Sequence, residues 1–330
     1  MYLSGIVRGG EMLSWPDFKE KKLVYVANFG NNPDDLKFSN DNIVLYKDGK
    51  KVSMISCHIV FGLFLIGDMT ITSVLIRKAT QYGISIFLLD NSLRCYATIN
   101  SKAEGNYLLR DMQYKMDNDS ELRLTKWIVK NKLENQYKLM NGLGNKGMKG
   151  LLNSSVWNLN LAKSMDAARG IEGNFSKVYF DKVFGEIGWY RRAPQTKEDV
   201  INLLLDMGYT FLFNFVDAIL NIFGFDTYKG FYHRLFFQRK SLSCDLMEPM
   251  RAIIDKKIVK AYNLGQVCEK DFGFKNGVYF FKKYDYRKKY AELFLEAINE
   301  NKELIYRFIE KYYRHLHKPD VYDLPLFKLK

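Results

Sequence analysis

Only four histidines occur among the 330 residues, so each can be weighed as a chemical group. His233 stands out because it lies in GFYHRLFFQRKSLSCDLMEPMR, with Asp245 twelve and Glu248 fifteen residues downstream. An imidazole nitrogen and two carboxylates in so short a span are groups that bind divalent metal ions, although such a trio also arises by chance. A second group is Glu172, set between Gly170 and Gly173 in ARGIEGNFSKVYF, an otherwise apolar and helix-compatible stretch. Glycine costs a helix about 1 kcal/mol against alanine and leaves room for another backbone or a ligand to approach. Read in isolation, Glu172 is more readily an exposed glutamate on a weakened helix than a ligand.

The other candidates are weaker. His58 heads an apolar strand and reads as a core or turn residue. His315 and His317, in KYYRHLHKPD, read as surface residues, because helix positions two apart point to different faces. No Ser-His or Cys-His pairing suggests a covalent nucleophile, and the apolar and acidic neighbours of Cys244 disfavour a thiolate there.

The elements that must position these groups fall into two kinds. Residues 1–102 read as a β-rich domain with strands KLVYVANF, NIVLYKDGKKVSMIS turning at Asp48-Gly49, HIVFGLFLIG, ISIFLLD and RCYATI. One helix, TITSVLIRKATQYG from Thr70 to Gly83, interrupts them with a threonine available as its cap. From about Glu104 the apolar period becomes 3.6, through NYLLRDMQYKM, ELRLTKWIVKNKLENQYKLM and LLNSSVWNLNLAKSM. The expected fold class is therefore α+β, with residues 103–330 forming a larger all-α domain that carries the chemistry. NGLGNKGMKG, residues 141–150, matches no phosphate-binding loop and reads as a flexible helix connection.

Residues 200–225, VINLLLDMGYTFLFNFVDAILNIFGF, are apolar enough to suggest a membrane span. Asn202, Asp206, Thr210, Asn214, Asp217 and Asn221 nevertheless fall within roughly 120° of one helix face, a stripe that lipid would not tolerate. The expectation is a core helix whose polar face meets other polar groups or a solvent-filled cleft, with no membrane partner. Fifty Lys and Arg against 37 Asp and Glu leave a formal charge of +13, spread along the whole chain, which favours nucleic acid as the partner. Cys57, Cys95, Cys244 and Cys268 form no CxxC pair and suit a reduced, cytoplasmic protein, and the N-terminus lacks the pattern of an export signal.

In order, GIEGN, VYF, RRAP, EDVINLLLDMGYTFL, GFYHR and SLSCDLMEPMR span residues 170–251, and in that order and spacing they resemble the CRISPR-associated adaptation integrases, also called endonucleases. Upstream, NYLLRDMQYK and KWIVKNKLENQ resemble that family's first helices, and VFGLFLIGDMTITSVLIRKATQYGISIFLLD its N-terminal strand, helix and strand. The resemblance implies that Glu172, His233 and Glu248 hold a divalent ion, Mg²⁺ or Mn²⁺, with Asp245 beside the site. It implies transesterification in which the 3′ hydroxyl of a donor DNA attacks a CRISPR-repeat phosphodiester, with no covalent protein nucleophile. It also implies a homodimer paired through the N-terminal domain and a small companion protein bridging two dimers.

Arg110, Arg191, Arg192, Arg234, Arg239, Lys240 and Arg251, several of them adjoining the metal motifs, are the candidate DNA contacts, with Trp189, Tyr190 and Tyr232 placed to brace a splayed strand end. The segment APQTKED after Arg192 is longer and less proline-rich than the family's pattern. Pro249 disfavours helical geometry at Glu248, so Asp245 and Glu248 need not share a helix face. Two other readings stay open: a basic DNA-binding scaffold whose acids are structural, and a branched-DNA nuclease outside CRISPR adaptation.

Overall fold

The computed structural model describes residues 21–28, 32–90, 95–100, 106–145, 147–233 and 236–330. By contacts the chain divides into two compact units, Met1–Asn106 with Asp217–Phe225, and Tyr107–Val216 with Asp226–Lys330.

The first unit holds two four-stranded sheets. One places β5 (Val60–Ile66) between β1 (Lys22–Ala27) and β7 (Ser85–Leu89), all parallel, with β8 (Cys95–Ile99) antiparallel at the edge. VFGLFLI is apolar throughout because a central parallel strand is buried on both faces, and every residue of β5 is buried. The other sheet runs β4 (Lys50–Ser56), β3 (Asn42–Lys47), β2 (Asp34–Ser39) and β6 (Met69–Ile71). β3 and β4 pair from Lys47 to Lys50 across Asp48-Gly49, both at positive φ, as a two-residue hairpin turn of primed type requires. The helix between β6 and β7, α1 (Ser73–Gln81), is shorter than 70–83. Met69–Ile71 pairs with β2 instead, and Thr72 is the cap, its hydroxyl accepting from Leu75 N at 3.2 Å. Leu36, Ile43, Cys57, Leu63, Leu65, Leu75 and Ile86 close one core between the sheets and α1. His58 sits in a 3-10 turn, Cys57–Ile59, and is exposed.

The second unit is built on α2 (Tyr107–Tyr114), α3 (Asn118–Gly142), α4 (Lys149–Leu161), α5 (Met165–Phe184), α6 (Val200–Phe223, which from Asp217 onward belongs to the first unit), α7 (Ser241–Met247), α8 (Arg251–Asn263) and α9 (Tyr284–His317). It also carries a hairpin, β9 (Phe272–Lys275) with β10 (Val278–Phe281), an addition to the helical layout expected from periodicity. α3 lies at the centre. Trp127 stacks on Phe308 and Tyr312 of α9 with ring centroids 5.6 Å away in each case, and its indole N–H donates to Pro325 O at 2.7 Å. His315 is buried and its Nδ1 meets Tyr322 O at 2.6 Å, so it is not the surface residue expected from its neighbours.

α6 is long and apolar enough by composition to cross a membrane, but most of it is buried within the protein. Two residues of its polar stripe, Asn202 and Asp206, have partners outside the helix. Asn202 Oδ1 accepts from Arg192 Nη1 at 2.7 Å and Ala193 N at 3.0 Å, while Asp206 accepts from Arg192 Nη2 and Gln195 N at 2.8 Å each. Away from that stripe Gly208 lets α6 press against α8 and α9: a Cβ there would lie 2.4 Å from Ile254 Cγ2 and 3.1 Å from Phe294 Cδ1. A β-branched side chain cannot swing clear of such an overlap. Gly208→Ala is therefore expected to lower stability by about 1–3 kcal/mol in urea unfolding, despite the better helix propensity of alanine.

Candidate metal and phosphodiester site

Asp245 organises the site from beneath. It is completely buried on α7, and its carboxylate accepts from three successive backbone N–H groups, Phe231 at 2.7 Å, Tyr232 at 3.0 Å and His233 at 2.9 Å. Its Oδ1 also lies 2.6 Å from His233 Nδ1. The loop can pass this close because residue 230 is glycine: a Cβ at Gly230 would stand 2.5 Å from Asp245 Oδ2 and 2.8 Å from Ser241. With Nδ1 held, the imidazole turns Nε2 toward Glu248, whose Oε1 is 3.8 Å away. A carboxylate behind a histidine fixes both ring orientation and the nitrogen left for a ligand.

Glu248 starts a 3-10 turn, Glu248–Met250, that joins α7 to α8. Its φ of −52° and ψ of −47° are helical, contrary to the expectation for a residue before proline. The path from α7 into α8 is nearly continuous, and Pro249 occupies the first turn of the new segment, where it needs no N–H partner. Asp245 and Glu248 thus stand one helical turn apart but serve different partners. Glu248 is 4% exposed, and Arg251 Nη2 meets its Oε1 at 2.9 Å.

Glu172 arrives from α5, a helix started by Ser164, whose hydroxyl accepts from Ala167 N at 3.2 Å. Its Oε1 accepts from Ser176 Oγ at 2.7 Å, and Tyr232 Oη donates to its Oε2 at 3.4 Å. Gly170 and Gly173 face open space, with nothing within 4 Å of an added Cβ.

Between the two glutamates lies a lysine. Lys132 Nζ of α3 is 2.5 Å from Glu172 Oε1 and 2.7 Å from Glu248 Oε2. Burial alone would lower the basicity of Lys132, but the Glu248 and Glu172 carboxylates outweigh it and hold the ammonium above the ordinary lysine value. Burial likewise opposes ionisation of Glu172 and Glu248. Lys132 keeps Glu172 below the usual carboxylate range, and Arg251, Lys132 and His233 hold Glu248 far below it. Among the described residues no three His, Cys, Asp or Glu side chains converge on one point. The donor chemistry nonetheless suits a hard divalent cation: two ionised carboxylates and an imidazole nitrogen turned toward one of them.

Beside His233 an open cleft of about 290 Å³ is lined by Ser164, Asp166, Arg169, Lys229 and Tyr232 among others. Arg169 donates to Tyr232 O at 2.6 Å, and Lys229 pairs with Glu121 at 2.6 Å. The candidate DNA contacts are not one surface. Arg110, Arg191 and Arg239 are exposed, Arg191 in a two-point pair with Glu198 at 2.9 and 3.0 Å, and Lys240 is half-buried. Arg192 and Arg251 turn inward, their guanidinium carbons 5.6 and 4.6 Å from the Tyr209 ring, and Arg234 lies outside the described residues. Tyr190 is exposed, Trp189 stacks on Phe180, and Tyr232 is buried with its hydroxyl at Glu172, which removes it as a brace for a splayed strand.

Lys132 and Arg169 are absent from the residues singled out by motif. For Lys132 a signal existed: it falls four residues after Ile128 and three after Val129, both fully buried, so helical periodicity puts a lysine on the buried face of α3.

The class is that of two-unit proteins with a β-rich first unit and a helical second unit that gathers acids and a histidine. The family model described as "CRISPR associated protein Cas1" matches residues 25–296, and the chain belongs to that family. A CRISPR-associated endonuclease Cas1 of Thermodesulfovibrio yellowstonii is 25% identical over 288 residues, covering 82% of this chain and 90% of its own. Among solved structures, a casposase bound to integration product has a TM-score of 0.79 at 18% identity, covering 91% of each chain. A chain of a Cas6-RT-Cas1–Cas2 complex has a TM-score of 0.76 at 22% identity, covering 94% of this chain and 36% of that one.

Asp245→Ala strands three buried N–H groups and the His233 ring, so it is expected to cost about 3–5 kcal/mol in urea unfolding. A loss below about 1 kcal/mol would show that the loop holds without it.

Proposed function

We propose that this chain is a metal-dependent DNA integrase and endonuclease of CRISPR spacer acquisition, joining the 3′ hydroxyl of a donor DNA to a repeat phosphodiester by transesterification. The observation that carries the reading is the meeting of Glu172 and Glu248, from separate elements, with His233 Nε2 turned toward Glu248 by Asp245. Glu172, Glu248 and His233 would hold one Mg²⁺ or Mn²⁺. Bound there, the ion supplies charge neutralisation on the phosphoryl oxygens and on the departing 3′ oxygen.

The protein's own groups do the remaining work. Asp245 keeps the His233 ring in one orientation and holds its Nδ1, leaving Nε2 for the ligand position. Arg251 and Lys132 keep Glu248 ionised, so that both carboxylates are available as anionic donors. Gly170 and Gly173 bare the α5 backbone next to Glu172, which lets a nucleic-acid strand approach closely. The cleft at His233 accommodates the donor end. Arg110, Arg191, Arg239 and Lys240 are the groups offered to phosphates. The formal +13 adds long-range attraction that salt should weaken steeply.

The casposase bound to integration product supports DNA strand transfer, and the complex containing Cas1 and Cas2 supports a Cas2-type companion. In the proposed assembly that companion bridges two homodimers, each paired through the first unit.

Glu172→Ala decides between this reading and a DNA-binding scaffold. In a strand-transfer assay with a 3′-hydroxyl donor, a repeat target, the companion protein and Mn²⁺, product formation should fall by about 10²–10³-fold or more, with DNA affinity within about twofold of the parent. Product at the parent's level would leave the acids structural. A parent that cleaves branched DNA but never joins a donor to a repeat would point to a branched-DNA nuclease.

A further inference from the structure

The site carries a cation of its own. Lys132 Nζ contacts one oxygen from each of the two glutamates, and the lysine side chain is only 11% exposed. Two ionised carboxylates brought together away from water repel each other strongly unless a positive charge lies between them. Arg251 reaches only Glu248, so Lys132 is the group that joins the pair.

Its position is fixed from the adjoining flank of α3. Asn131 Oδ1 accepts from Phe327 N at 2.9 Å, and its amide donates to Phe327 O at 2.8 Å. Asn135 donates to the same carbonyl at 2.9 Å and accepts from Leu329 N at 2.7 Å. Both asparagines are buried, so the extended segment 325–329 is read along its backbone by residues on either side of Lys132. The helix can neither rotate nor slide without breaking these bonds, which keeps the ammonium aimed between the carboxylates.

We propose that Lys132 is a tethered competitor of the divalent ion: its ammonium and the ion claim the same oxygens of Glu172 and Glu248, so the ion binds by displacing the lysine. Displacement changes the local balance in a useful way. The paired glutamates are matched by Lys132 and Arg251, and a divalent ion added to this set raises the local charge by two while the lysine stays on its stem. A site made positive in this way suits an anionic phosphodiester, so ion binding and DNA-phosphate binding become coupled. The pairing also holds the two carboxylates in place for the ion, at the cost of weakening the ion's affinity.

The inference rests on the proposal that Glu172, Glu248 and His233 hold a divalent ion, and the test separates the two. Mn²⁺ is titrated without DNA into the full-length parent and into Lys132→Met, Lys132→Gln and Lys132→Arg, following bound metal by calorimetry and by the EPR signal of free Mn²⁺. Lys132→Met and Lys132→Gln should bind Mn²⁺ about tenfold tighter or more, because no ammonium has to be displaced, and both should gain more in Tm from Mn²⁺ than the parent does. Lys132→Arg, which keeps the charge, should bind no tighter than the parent. If Lys132→Met is too unstable to titrate, Lys132→Gln decides. Parent binding that Glu172→Ala abolishes, together with equal or weaker binding by the neutral variants, overturns the competition alone. Absence of any Glu172-dependent Mn²⁺ binding in every variant overturns both readings.

Discussion

Two carboxylates buried side by side must be compensated, and the second unit is arranged around that requirement. Glu248 is almost fully enclosed and Glu172 largely so, yet both are held ionised. The cost of desolvating two such groups is several kcal/mol each unless cations and hydrogen-bond donors are already in place. Lys132 comes from α3, Arg251 from α8, and Ser176 from one turn further along α5. Removing any one of them would leave a charge or a lone pair uncompensated in the interior.

The packing serves the same end. α3 is pinned between α9, through the Trp127 stack, and the extended C-terminal segment, through Asn131 and Asn135. α8 is set against α6 by the absence of a side chain at Gly208, which brings Arg251 over the Tyr209 ring. The Tyr209 hydroxyl in turn donates to Asp255 at 2.6 Å, as does Tyr179 from α5. Burial, only partly offset by these two donors, pushes the Asp255 carboxyl up to about 6. That layer ties α5, α6 and α8 together directly behind the charged pair.

Much of the fold class is legible in the sequence because it rests on local signals. Alternation and turn chemistry at Asp48-Gly49 mark β3 and β4, a threonine caps α1, and the 3.6 period marks the helices. The same turn signal at Asn276-Gly277, both residues at positive φ, marks β9 and β10 within a region otherwise read as helical. Non-local pairing is another matter. The three-residue β6 has too little sequence to carry a period, and its partner β2 lies more than thirty residues upstream. For the site, the Gly230 and Asp245 relationship is short in sequence but depends on a Cβ clearance that no spacing rule encodes. Lys132 lies 40 residues from Glu172, and its pairing emerges only when α3 and α5 are laid together. The motif order across residues 170–251 groups Glu172, His233 and Glu248 through family resemblance, and their individual neighbourhoods do not.

In the proposed reading one divalent ion is held by Glu172, Glu248 and the Nε2 nitrogen of His233. Electron spin-echo spectroscopy of the Mn²⁺-loaded protein tests it most directly, because a directly bound imidazole imprints a nitrogen coupling on the manganese signal. A coupling present in the parent and absent in His233→Gln, with the fold intact, is the predicted result. No nitrogen coupling in the parent, or one that survives the substitution, would contradict the account.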